Sequence, residues 1–203
     1  MPDSDTARAT PKRVAIFLFD EVEVLDFAGP FEVFAVTGQR PGPAPFEVVT
    51  VAAQEGPVRA RNGLIVSPGY TFATLPPPEI IVIPGGYGTR PLVHDEGVIA
   101  WIQKMAGGAE LTLSVCTGAL LLAKAGLLEG KGATTHWGAL DLLRELGPAT
   151  RVVENTRFVD SGTVITSAGI SAGIDMSLHV VARLLGLEQA RETARYMEYR
   201  WVE

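Results

Sequence analysis

Residues 111–123 read LTLSVCTGALLLA: a run of apolar strand formers ends at Cys116 and passes through Thr117-Gly118 into an apolar helix-forming stretch. A strand that turns sharply into a helix at a nucleophile-bearing residue is the layout of a nucleophile elbow. There, a small residue two positions on lets strand and helix pack closely. The stretch departs from G-x-S-x-G in having Ser114 where the first glycine would stand. The helix N-terminus behind the cysteine predicts positive potential, a depressed thiol pKa and thiolate character. A lone cysteine is more often a small buried hydrophobe. The strand-turn-helix setting favours the nucleophile.

Outward from the elbow, residues 14–19, 46–53 and 80–84 are further short apolar runs that read, like 111–115, as strands. Continuous rather than alternating apolar character predicts burial on both faces, as in a parallel sheet. Helix-like blocks lie at 31–37, 98–106, 118–125 and 137–146. The alternation predicts an α/β sandwich with a mostly parallel sheet and helices on both faces. Residues 157–160 and 163–167, joined through Ser161-Gly162, read as a hairpin. Two helices are expected over 171–185 and 188–199, divided at Gly186. PGPAP at 41–45 and PPP at 76–78 read as loops. Residues 1–11 are expected to form a flexible arm, and 12–203 one domain, with no repeat and no Ser- or Pro-rich linker.

The chain has 203 residues, 47% of them hydrophobic and 20% charged, which excludes a disordered or coiled-coil protein. A formal charge of -6 leaves no basic face for nucleic acid. One cysteine excludes an internal disulfide and a thiolate zinc site. No apolar run reaches the roughly 20 residues that span a bilayer, and the N-terminus lacks an apolar signal segment. A cytoplasmic protein with neither membrane nor nucleic-acid partner is expected.

In open α/β sheets ligands bind outside the carboxyl ends of the strands, so residues there are candidates. PGGYG at 84–88 follows an apolar strand directly, and Gly85 and Gly86 allow backbone N–H groups to approach a ligand as an oxyanion pocket. The plain alternative is a tight turn. A phosphate role is excluded by the missing dinucleotide and P-loop patterns. In a plausible sheet order this loop sits two strands from Cys116. LDFAGPFEVF at 25–34 places Asp26 among apolar residues, where a carboxyl should have a raised pKa and could donate a proton near neutrality. The alternative is that Asp26 caps a helix begun by Pro30. Asp20, Glu21 and Glu23 read as solvated charge. His136, in ATTHW, follows a strand-like segment and could face the site, while His179 reads as a core or interface residue and His94 as a loop residue.

Together, LDFAGPFEVF, IPGGYG, SVCTGALLLAKAGLL, ATTHW and TSAGISAGIDMSLHVV resemble the DJ-1/PfpI superfamily over roughly residues 13–201, and within it most closely the isonitrile hydratase branch. The resemblance implies a flavodoxin-like sandwich, Cys116 on the elbow, Asp26 as its acidic partner, Thr117 as the threonine of this branch, and Gly86 in the oxyanion-type loop. It also implies a homodimer acting on a small molecule. His136 matches a histidine often found near the cysteine. The PfpI-type proteases carry a histidine where this chain has Thr117. The late His-x-Glu pair of class I glutamine amidotransferases cannot be built, because Val180 and Val181 follow His179. Glyoxalases and deglycases of the superfamily usually have glutamate in place of Asp26. AraC-type regulators share the CTGA and ATTHW motifs but continue into a helix-turn-helix region. A stand-alone sensor using Cys116 as an oxidisable thiol is the alternative to an enzyme. The expected reaction is hydration of an isonitrile to an N-substituted formamide through a Cys116 thioimidate. It requires no metal or cofactor, because the substrate carbon is already polarised.

Overall fold

The computed structural model describes residues 10–38 and 44–202. The arm expected over 1–11 and the PGPAP loop lie outside these except for their last two residues. The strands are β1 (Lys12–Phe17), β2 (Phe46–Ala52), β3 (Val58–Arg59), β4 (Ile65–Val66), β5 (Tyr70–Thr71), β6 (Ile80–Ile83), β7 (Leu111–Val115), β8 (Gly132–Ala133), β9 (Arg151–Val152), β10 (Phe158–Asp160) and β11 (Val164–Ser167). The α-helices are α1 (Val24–Val36), α2 (Thr89–Leu92), α3 (Glu96–Gly108), α4 (Gly118–Lys124), α5 (Leu140–Leu146), α6 (Ala172–Leu185) and α7 (Leu187–Tyr196).

Among the described residues, a seven-stranded sheet runs in the order β10-β11-β7-β6-β1-β2-β5. Every pairing is parallel except the β10–β11 hairpin at one edge. Every residue of β6, β7 and β11 is buried, as continuous apolar runs predict for strands covered on both sides. Helices α1, α6 and α7 pack together against the sheet, and α4 gathers α2, α3 and α5 into a second group. A cluster of aromatic rings fixes α3 to the sheet: Trp101 stacks on Phe72 at 3.9 Å and also meets Phe17 of β1.

The chain leaves β1 for β2 on one side and returns to place β6 on the other. Strand order therefore reverses between β1 and β6, and such a reversal opens a crevice at the carboxyl ends of the two strands. The segments after β1, β6 and β7 leave the sheet side by side at this edge. The glycine loop comes from the strand adjacent to that of the cysteine, not two strands away: β7 pairs with β6, and β1 lies on the far side of β6.

Helix α1 departs from expectation. It begins at Val24, seven residues before the expected start, and carries Pro30 inside it. Proline sets a helical φ but donates no N–H, so the Asp26 carbonyl loses its partner four residues on. The expected helix over 137–146 is divided into a short 3₁₀ turn at Trp137–Ala139 and α5.

Candidate active site

Cys116 occupies a left-handed backbone conformation, φ +55°, which a residue with a Cβ adopts at a cost of about 1–2 kcal/mol. Hydrogen bonds on both sides hold it there. Its N–H donates to the carbonyls of Ser167 and Ala168 at 3.1 and 3.2 Å, and its own carbonyl accepts the Thr135 hydroxyl at 2.7 Å. A Cβ on Gly118 would overlap the carbonyl oxygen of Ile83. Glycine two residues after the cysteine is thus what lets α4 start against β6. Cys116 is 6% exposed.

Asp26 does not cap α1. It lies in the helix's first turn, and the preceding N-cap residue, Glu23, makes no side-chain cap. The Asp26 carboxyl is fully buried and reaches across the crevice, where Oδ2 accepts the Gly85 N–H at 3.0 Å. Oδ1 has no hydrogen-bond partner among the described residues. Burial pushes this carboxyl up to about 7 against the opposing pull of the Gly85 N–H and the Cys116 thiol, and the charge of Glu23 adds a smaller rise.

The thiol moves the other way from the sequence expectation. Burial, reinforced by the neighbouring Asp26 charge, raises the Cys116 pKa far above that of a free cysteine, and the N–H and hydroxyl of Thr117 offset only part of this. α4 is a seven-residue helix, and its N-terminus does not outweigh desolvation beside a carboxylate. These surroundings favour the protonated thiol over the thiolate.

The structure brings Cys116, Asp26, Thr117, Gly85 and Gly86 together. Both loop N–H groups are engaged: Gly85 with Asp26, and Gly86 with Thr117 Oγ1 at 3.0 Å. A Cβ on Gly85 would run into Thr117 and Asp26, and one on Gly86, where φ is +130°, into the backbone of residues 21–23. That segment straps the loop, with a β-bridge between Val22 and Gly86 and a bond from Glu23 N–H to the Gly85 carbonyl at 2.9 Å.

His136 is near this group but makes no hydrogen bond with Cys116, Asp26 or Thr117 among the described residues. Its Nδ1 accepts the Gly138 N–H at 3.1 Å, and its ring lies where a Cβ on Gly169 would be. Asp20 and Glu21 are not merely solvated: Asp20 accepts the Arg59 N–H, and Glu21 pairs with Arg61 at 2.8 Å. His179 is not a core residue; it is paired with Asp160 at 2.8 Å and partly exposed. Three further residues complete the site: Thr135, Thr89 and Arg90, the last two hydrogen-bonded to the Gly86 carbonyl. Thr135 lies inside the ATTHW motif, and the only sequence signal of Thr89 and Arg90 is adjacency to PGGYG.

Residues 12–183 match the DJ-1/PfpI family. The chain belongs to that family. Its DJ-1/PfpI relatives include isonitrile hydratase from Pseudomonas putida, 37% identical over 187 residues, which cover 92% of this chain and 78% of that protein. The HTH-type transcriptional regulator GbdR from Pseudomonas aeruginosa is 30% identical over 179 residues, 88% of this chain; the chain spans about half of the regulator's length, 48%. A crystal structure of a ThiJ/PfpI family protein from Pseudomonas syringae superposes on the whole chain with a TM-score of 0.86 at 30% identity, covering 83% of that protein. The mostly parallel sheet with helices around it is the DJ-1/PfpI fold. No helix among the described residues is long and apolar enough to cross a membrane.

Proposed function

We propose that the protein hydrates isonitriles, R–N≡C, to N-substituted formamides. The observation that carries the reading is the pairing of a buried thiol with a buried carboxyl that titrates near 7. A general base is most effective when its pKa lies near the working pH, and Asp26 is placed to take the Cys116 proton as attack begins.

In the first step the Cys116 Sγ–H proton passes to the Asp26 carboxylate, and sulfur forms a bond to the terminal isonitrile carbon. Asp26 then returns the proton to that carbon, which gives the thioimidate Cys–S–CH=N–R. In the second step the Asp26 carboxylate draws a proton from water as its oxygen adds to the same carbon, and Asp26 passes that proton to the nitrogen. Collapse of the tetrahedral adduct breaks the C–S bond, regenerates the thiol and releases H–C(=O)–NH–R. Water is the sole co-reactant.

The engaged loop amides favour this substrate over a 2-oxoaldehyde. Addition of a thiol to a carbonyl develops an oxyanion, which is normally met by free N–H donors. Gly85 and Gly86 already donate to Asp26 and Thr117, and we assign them to positioning those two side chains. A thioimidate needs no such donors. The 37% identity to isonitrile hydratase across 92% of the chain supports the same choice. His136 is given no proton-transfer step.

Assays of the purified protein in parallel on a small alkyl isonitrile and on methylglyoxal test the substrate. The isonitrile is expected to be turned over with a kcat/KM at least about tenfold higher, equivalent to 1.4 kcal/mol in transition-state binding. The reverse order would refute the assignment. We further propose a cytoplasmic homodimer. Light scattering is expected to give about twice the chain mass of 21.6 kDa, and a single-chain mass at all concentrations would exclude it.

A further inference from the structure

Residues 168–171 carry the chain from β11 into α6, and the turn they form lies against the elbow. The Ala168 carbonyl accepts the Cys116 N–H at 3.2 Å, sharing it with the Ser167 carbonyl. Gly169 packs so closely on the His136 ring that a Cβ there would overlap it. Ile170 has φ +28°. A β-branched residue takes a positive φ only under strain, and such strain persists only where the surroundings hold it.

Arg157 holds this turn at both ends. At the first, its main-chain carbonyl accepts the Ala168 N–H at 2.9 Å. At the second, its Nη1 and Nη2 both donate to Ser171 Oγ at 3.2 Å, and its Nε donates to Asp175 Oδ2 at 2.7 Å. Nη2 is paired with the same carboxylate oxygen. Asp175 is buried in the first turn of α6, and the Tyr199 hydroxyl fixes it from the other side by donating to Oδ1 at 2.9 Å. The guanidinium fork is thus pinned to a fixed acceptor, and Ser171 is anchored to the fork. Ser171 is the N-cap residue of α6 but makes no side-chain cap bond; its hydroxyl serves the arginine rather than the helix.

We propose that Arg157 is a positioning residue of the active site: its side chain holds the 168–171 turn in its strained form and so keeps the Ala168 carbonyl on the Cys116 N–H. Cys116 is itself left-handed and depends on the bonds from its N–H and to its carbonyl. Without the fork, Ile170 relaxes and the Ala168 carbonyl draws back. The cysteine backbone then loses part of what fixes its φ, and the sulfur is no longer fixed in place. The consequence for turnover rests on the reading of Cys116 as the nucleophile.

Amide hydrogen exchange reads this out with no substrate present. Exchange at the Cys116 N–H, followed by NMR on the full chain, is to be compared with exchange at Leu113 in the middle of β7. The proteins are the wild type, Arg157→Met, Arg157→Lys and Ser171→Ala. Arg157→Met keeps an unbranched stem and removes the donors; it is expected to speed exchange at Cys116 about fivefold, the scale of one hydrogen bond, and to leave Leu113 unchanged. Arg157→Lys recovers part of the protection, because one ammonium cannot serve Asp175 and Ser171 in the same fork geometry. Ser171→Ala leaves the Arg157–Asp175 pair intact and also speeds exchange at Cys116. In Arg157→Met, kcat for an alkyl isonitrile should fall about tenfold with KM within about twofold, as expected when the geometry of the reacting groups is lost rather than binding. Wild-type exchange at Cys116 in Arg157→Met or Ser171→Ala overturns the proposal. Equal speeding at Leu113, which marks a general loss of stability, overturns it too, as does local speeding with an undiminished kcat. If the exchange pattern appears while even the wild type hydrates no isonitrile, the substrate assignment fails and the hold of Arg157 on the turn stands.

Discussion

Cys116→Ala is expected to abolish isonitrile turnover, a loss of at least about 10⁴-fold, with the fold retained. The size follows from removing the atom that bonds to substrate: with no sulfur, Asp26 and the loop have nothing to activate, and loss of a covalent nucleophile costs several orders of magnitude in comparable systems. Cys116→Ser should be nearly as inactive. A serine hydroxyl is less acidic than a thiol in the same surroundings, and its oxygen is the poorer nucleophile toward the isonitrile carbon. The fold should tolerate either change. The left-handed backbone at 116 is held by bonds from its N–H and to its carbonyl, none of which uses the sulfur, and Ala meets the same conformational strain as Cys. Thermal melting within a few degrees of the wild type, together with lost turnover, is the expected pair of results. Retention of most of the activity in Cys116→Ala would remove the covalent step.

Asp26→Asn is expected to lower turnover about 10²- to 10⁴-fold, the usual contribution of a positioned acid-base group, while making the folded protein more stable at alkaline pH. The amide keeps the shape, and its oxygen can still accept the Gly85 N–H, but it exchanges no proton. The stability effect has a definite sign. Asp26 titrates at about 7 when folded against an ordinary value of 3.8, so the folded chain holds the proton more tightly. The stability this provides is complete below about pH 3.8 and is lost as the pH rises to and through 7. At about 1.4 kcal/mol per pKa unit, the loss is on the order of 4 kcal/mol at pH 8. Asn does not ionise and escapes it. Melting curves of the two proteins should therefore be similar near pH 4 and diverge by pH 8, with Asp26→Asn the more stable. Equal melting at pH 8 would show that the carboxylate is not desolvated, and near-normal turnover would take Asp26 out of the mechanism.

The features legible in the sequence were those with a local signature. The buried strands β6 and β7 appear as unbroken apolar runs, and the elbow as a cysteine between such a run and a glycine-started helix. The β10–β11 hairpin is announced by Ser161-Gly162. Strands β3, β4, β5, β8 and β9 have two residues each, too short for any periodicity. The early start of α1 was hidden by Pro30, which ordinarily marks a helix's first turn but here sits mid-helix. Cys116 and Asp26 were both identifiable, but the state of the thiol was not. A helix N-terminus can be inferred from the chain, whereas the desolvation and facing carboxyl that override it arise only when β1, β6 and β7 lie side by side. Arg90 was hidden for a related reason: its partner is a main-chain carbonyl, and no residue pattern marks that.

The most direct test is formation of formamide from an alkyl isonitrile in ¹⁸O-labelled water by the wild-type protein, with and without prior alkylation of Cys116. Formamide should appear in large molar excess over protein with the label in its carbonyl oxygen, and alkylation of Cys116 should stop its formation. Absence of formamide, or unchanged production by the alkylated protein, would contradict covalent hydration at Cys116.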